Sequence, residues 1–159
     1  MAYEQVVSSE PNCKIGIFGD DENGKINLVD AIRKSLEGFG RLPRSNRMEF
    51  TGKSRVYAST IVPCDNLYEN RLKNGSMMFD GIILHVDNAK GLNSQVCEQI
   101  TKSYEYGITH LIVFVDNCKL VNGVLQVDSL VERNIQKFLS TTKFKREHHY
   151  VSRLLQVWL

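Results

Sequence analysis

Gly19, Gly24 and Lys25 stand at the spacing of a phosphate-cradling turn, G-x-x-x-x-G-K-[S/T], but the position that should carry a hydroxyl is Ile26. In such a turn the backbone amides surround phosphate oxygens, the lysine reaches the outer phosphates and the hydroxyl holds Mg²⁺. An isoleucine cannot ligate a metal. The scaffold is kept while a group that phosphoryl transfer depends on is gone. The same turn contains Asp20, Asp21 and Glu22, carboxylates beside the seat of an anionic ligand. Their field opposes phosphate except where solvent and salt screen it. In this setting Lys25 reads as a solvated lysine in the first turn of a helix, and Ile26 as a packing residue in the vacated metal position.

A turn of this kind works only between a buried strand and a helix, and the flanking residues supply both. Cys13 to Phe18 is a compact apolar run that ends in glycine, the pattern of a buried strand. From Lys25 to Leu36 the residues Leu28, Ile32 and Leu36 recur every fourth position with Ala31 beside them, which predicts a helix stopped by Gly38 and Gly40. Met48 to Phe50 and Val56 to Val62 read as strands, and Asp65 to Gly75 has helical character. Gly81 to Val86 and Leu111 to Val115 are further buried strands. Asn93 to Glu105 reads as a helix through Val96, Ile100 and Tyr104, and Leu130 to Leu139 as another through Leu130, Ile135, Phe138 and Leu139. Tyr150 to Leu159 reads as a strand running into a helical turn. Strands alternating with helices predict an α/β fold, a mostly parallel sheet with helices on both faces. Residues 12–159 read as a single domain behind a disordered segment, 1–11.

Composition narrows the function. The chain has 159 residues, 42% hydrophobic and 24% charged, the make-up of a globular domain. A net charge of +2 argues against nucleic acid, and the basic cluster Lys143 to Arg146 reads as a solvated face. No apolar run approaches the roughly 20 residues that cross a bilayer. Cys13, Cys64, Cys97 and Cys118 form no C-x-x-C pair, so reduced thiols in the cytoplasm or nucleus are expected rather than zinc or disulfides. His85, inside an apolar strand, reads as a core histidine with its hydrogen bonds satisfied.

The chain resembles the GTP-binding domain of translational GTPases of the elongation factor Tu type. Lys14 to Ile32 is similar to that family's first strand, phosphate loop and first helix. Asp80 to Val86, Asp-Gly-Ile-Ile-Leu-His-Val, resembles its D-G-A-I-L-V-V strand. Gly91 and Gln95 match G-x-x-x-Q, Gly107-Ile108 matches G-V, and Leu111 to Val115 resembles I-I-V-F-L. The resemblance implies a P-loop GTPase-like three-layer sandwich. It also shows what the chemistry lacks. The D-x-x-G element falls on Ile61-Val62-Pro63-Cys64, so Ile61 replaces the metal-binding aspartate and Cys64 the glycine that senses the γ-phosphate. Asp65 falls where the water-positioning histidine stands, and neither Thr51 nor Ser54 is marked as the switch threonine. The base-reading N-K-x-D element falls on Asp116-Asn117-Cys118-Lys119. Lys119 offers donors where guanine requires an acceptor. The last element is only partial, at Val151-Ser152-Arg153-Leu154.

Together these departures lead us to expect a catalytically inactive GTPase-like domain that serves as a protein–protein interaction or scaffold module, with no catalytic residue, metal or cofactor. Its vestigial nucleotide site would comprise Gly19, Gly24, Lys25, Ile26, Ile61, Cys64, Asp116, Asn117, Lys119 and Ser152. Lys119 is expected to pair with Asp20, Asp21 or Asp116. The alternative is a nucleotide-binding switch with residual, metal-independent GTP or GDP binding. The expected partner is a protein, a second copy of the chain included, met through Tyr68, Met77, Met78 and Trp158. No membrane partner is expected.

Overall fold

The computed structural model describes residues 13–37, 47–51, 56–142, 144 and 149–152. Its elements in chain order are β1 (Cys13–Phe18), α1 (Glu22–Glu37), β2 (Arg47–Thr51), β3 (Val56–Ile61), α2 (Tyr68–Lys73), β4 (Gly81–Asp87), α3 (Ser94–Glu105), β5 (Leu111–Asp116), β6 (Lys119–Val121), β7 (Val124–Gln126), α4 (Ser129–Thr141) and β8 (His149–Ser152). One six-stranded sheet runs β2-β3-β1-β4-β5-β8. Every neighbouring pair is parallel except β2 with β3 at the edge. From β1 the chain moves toward one edge of the sheet, and from β4 onward toward the other. Right-handed crossovers then place α1 on one face and the other helices on the opposite face.

Side-chain alternation confirms both layers. On β4, Ile82, Leu84 and Val86 enter the main core with Val96 and Ile100 of α3 and Val131, Ile135 and Leu139 of α4. Ile83 faces the smaller cluster of Ile17, Leu28, Val29 and Ile61 beneath α1, and Ile26 packs against the same cluster. A fully buried leucine or isoleucine is worth about 1.5–3 kcal/mol, so the main core supplies most of the stability. The anticipated stripes shift by one position. Ala31 is exposed, so α1 packs through Leu28 and Val29. Leu130 is 60% exposed, and Val131 takes its place on α4.

Helix α1 also begins three residues before the expected Lys25. The hairpin of β6 and β7, which was not among the expected elements, forms a separate two-stranded sheet. Its turn is Asn122-Gly123, with φ of 51° and 77°. Positive φ at both central residues is the geometry of a type I′ turn, and Asn-Gly is its usual sequence. Among the described residues, no helix is long and apolar enough to cross a membrane.

Candidate functional site

Open α/β sheets bind ligands beyond the carboxyl ends of their strands, where the strand order reverses. Here that point lies between β1 and β4, and the turn holding Gly19, Gly24 and Lys25 sits on it. The turn is tightened into a helix start. The Asp21 side chain accepts from the Gly24 amide at 3.1 Å, and the Asp21 carbonyl accepts from the Lys25 amide at 3.0 Å. These are the bonds of a helix N-cap. The Gly24 amide is thus held by the chain's own carboxylate.

Lys25 corrects the sequence reading most sharply. It is 0% exposed rather than solvated. Its Nζ donates to Glu22 Oε1 at 2.7 Å and to the Val62 carbonyl at 2.8 Å. A buried ammonium is costly unless paired and hydrogen-bonded, and these two acceptors meet that need. The reason was legible in part: in a helix that starts at Glu22, residues 22 and 25 are i,i+3 neighbours.

His85 fills the space beside the turn. A Cβ on Gly24 would lie 2.4 Å from His85 Cε1, and one on Gly19 would lie 2.8 Å from the His85 carbonyl oxygen. The glycines that look like a phosphate signature are the residues that allow β4 to press against the turn. His85 Nε2 lies 3.1 Å from Asp116 Oδ2, and its ring is tilted on Phe114 with centroids 5.9 Å apart. The ring is buried as expected but only half satisfied, because Nδ1 has no partner among the described residues. The crevice lined by Gly19, Asp20, His85 and Asn93 is too narrow to admit even a water molecule.

The remaining predicted site residues are spread around this point. Ile61 is buried at the end of β3. Cys64 lies 3.6 Å from Gln95 Oε1, and burial pushes its thiol up, against the pull of Lys25. A thiol held protonated is a poor nucleophile. Asp116 caps the Asn117 amide at 2.8 Å while holding His85. Lys119 is exposed at the start of β6 and, among the described residues, pairs with none of the expected aspartates. Ser152 ends β8, in register with Phe114 of β5. Of the proposed partner surface, Tyr68 is buried, with its hydroxyl on Ser103, and must be withdrawn. Met77 is half-buried, Met78 is 45% exposed, and Trp158 lies outside the described residues.

Three side chains of α3 pin the segment after β3. Gln95 Nε2 donates to Asn66 Oδ1 at 2.8 Å, Gln99 Nε2 donates to the Pro63 carbonyl at 2.9 Å, and Ser103 meets the Tyr68 hydroxyl. Positions 95, 99 and 103 share one helix face. Within the segment, Arg71 binds Asp65 through both guanidinium nitrogens at 3.1 and 2.9 Å. The Arg71 hydrogen bonds hold the Asp65 carboxyl below its ordinary range. Arg71→Met is expected to bring that carboxyl back up, seen as a higher carboxylate midpoint in an NMR titration. The stability the pair adds is present above the ordinary carboxylate range and fades as pH falls through the lowered value.

No protein-family model matches the chain. What the fold and this geometry define is an open α/β domain, its sheet mostly parallel, whose switch-point crevice is occupied by its own side chains.

Proposed function

We propose that this chain is a catalytically inactive GTPase-like domain that works as a protein–protein interaction or scaffold module. The observation that carries the reading is the closed turn: Asp21, Glu22 and His85 occupy the amide, the ammonium and the space that a nucleotide phosphate would use. The other cavity of note is an apolar slot of about 100 Å³ between α1 and the sheet, lined by Ile15, Ile17, Val29, Ile32, Tyr57, Ser59 and Ile83. Small-molecule sites usually run to about 300–1,000 Å³ and carry placed polar groups, so the slot does not suit a nucleotide.

Support for an interaction role comes from the surface. Leu120, Val121 and Val124 on the β6–β7 hairpin are 68%, 41% and 58% exposed, with Leu130 exposed at the start of α4. The hairpin pairs Leu120 with Leu125 and Val121 with Val124, so alternation gives it apolar side chains on both faces. Apolar side chains exposed together on one hairpin mark contact sites more often than isolated exposed leucines do.

Titration of nucleotide-stripped protein with fluorescent GTP and GDP analogues, with and without Mg²⁺, tests the reading. No saturation is expected at high micromolar ligand. Saturable binding would replace the scaffold by the nucleotide-responsive switch.

A further inference from the structure

We propose that the turn between β1 and α1 is self-ligated: Glu22 and Asp21 are an internal anion that locks α1 onto β1 and β3 without any bound ligand. The inference rests on the reading that the domain works without nucleotide, and it adds how the fold stays closed. Lys25 belongs to α1, and its fully buried Nζ bonds the carbonyl of Val62, just past the end of β3. The Val62 amide in turn donates to the Ile17 carbonyl of β1 at 2.9 Å. The ammonium therefore ties three elements together at one point. Its charge needs an anion, and Glu22 Oε1 at 2.7 Å supplies it from the first residue of the same helix. Asp21 answers the neighbouring Gly24 amide.

His85 is an independent second lock. Its ring sits against Gly24, buried, with Nε2 on Asp116 and Nδ1 unpartnered among the described residues. The wedge closes the turn from the β4 side while the carboxylates close it from within. The Glu22 side chain is 55% exposed, so this carboxylate can leave for solvent while Lys25 cannot. Glu22 is the removable part of the lock.

A latch of this kind makes the state of α1 independent of anions, and removing the internal anion should restore the dependence. The experiment follows thermal unfolding of the whole chain, as wild type, Glu22→Ala and Glu22→Gln, with millimolar pyrophosphate or sodium chloride at equal ionic strength. Glu22→Ala is expected to melt roughly 3–8 °C below wild type, the scale on which losing the partner of a buried charge registers in a domain of this size. Pyrophosphate would meet Nζ from the solvent side that Glu22 leaves, not through the crevice His85 closes. It should recover at least half of that drop, while wild type stays within about 1 °C of its value in chloride. Glu22→Gln keeps an acceptor and loses the charge, so it should fall between the two and recover in the same direction. The proposal is overturned if neither variant responds to pyrophosphate beyond its chloride control, or if wild type responds as strongly. A wild type that binds GTP analogues would sink the scaffold reading. A silent wild type with unresponsive variants would sink the latch alone.

Discussion

Gly24→Ala should destabilise the wild-type chain by about 1–2 kcal/mol and yet stabilise a chain that already carries His85→Ala. Alanine normally gains about 0.5–1 kcal/mol over glycine inside a helix, and Gly24 lies in the first turn of α1. Against that gain, the new methyl carbon would stand 2.4 Å from His85 Cε1 and 2.7 Å from Nε2. Overpacking of this kind costs about 1–3 kcal/mol. The ring cannot swing clear, because it is buried with Nε2 held by Asp116 and its face on Phe114. Truncating His85 removes the two closest obstacles at its own cost of about 2–3 kcal/mol. It leaves the helix gain against the Asp21 Cγ at 3.2 Å, a side-chain contact that a shift of a few tenths of an ångström relieves. Urea midpoints of the four proteins give the coupling, expected at about 2 kcal/mol, within the range seen for residues in contact.

Gly19→Ala supplies the contrast, because its obstacle is the His85 backbone oxygen at 2.8 Å, which no side-chain change removes. It should cost a similar amount in both backgrounds. If Gly24→Ala proves neutral or stabilising in the wild type, the glycines are not packing residues and the case for a filled crevice weakens with them.

That contrast also shows where sequence was informative. The α/β class and the central strands β1, β3, β4 and β5 followed from hydrophobic period, because strands in the middle of a sheet are apolar on both faces whatever the site contains. The helix start did not, since the spacing of Gly19, Gly24 and Lys25 drew attention away from a simpler local signal. An aspartate three residues before an amide is an ordinary N-cap arrangement, and Asp21 serves Gly24 in that way. Lys25 was misplaced for the same reason: once the helix begins at Glu22, the i,i+3 pair and a buried ammonium follow. The Asn122-Gly123 turn was fully legible, and two short apolar pieces around it make the hairpin. The wedge of His85 between Gly24 and Asp116 was not legible, because it depends on contacts between residues far apart in the chain.

The features that close the site and those that pin its neighbours point the same way. A switch needs an element with two arrangements of nearly equal energy and a ligand that favours one. Here the turn is held by its own carboxylates, and the segment from Pro63 to Tyr68 is held by Gln95, Gln99 and Ser103 on α3. Each bond is worth only about 0.5–1.5 kcal/mol, but releasing the segment means losing them together. These bonds are what the proposed scaffold reading needs, and the nucleotide-responsive alternative would have to break them together.

Tyr68 gives the most direct test of that pinning, through alkaline pH. Burial pushes its phenol up to about 12, outweighing the hydrogen bond with Ser103 that favours ionisation. In the unfolded chain a tyrosine ionises near 10. Between these values the unfolded state sheds a proton that the folded state retains. Stability is then intact below about pH 10 and falls by roughly 1.4 kcal/mol per pH unit up to about 12, a total of about 2–3 kcal/mol. Tyr68→Phe should cost about 1 kcal/mol at neutral pH, because Ser103 keeps its bond to the Gln99 carbonyl at 2.8 Å and only the bridge to α2 is lost. The same variant should lack this alkaline component, so the two denaturation curves converge and then cross as pH rises. Urea unfolding from pH 8 to 12 measures the crossing. A wild type that loses no more stability than the phenylalanine variant would mean that Tyr68 ionises in place. The α2 anchor would then be open to solvent, and the segment it holds free to move.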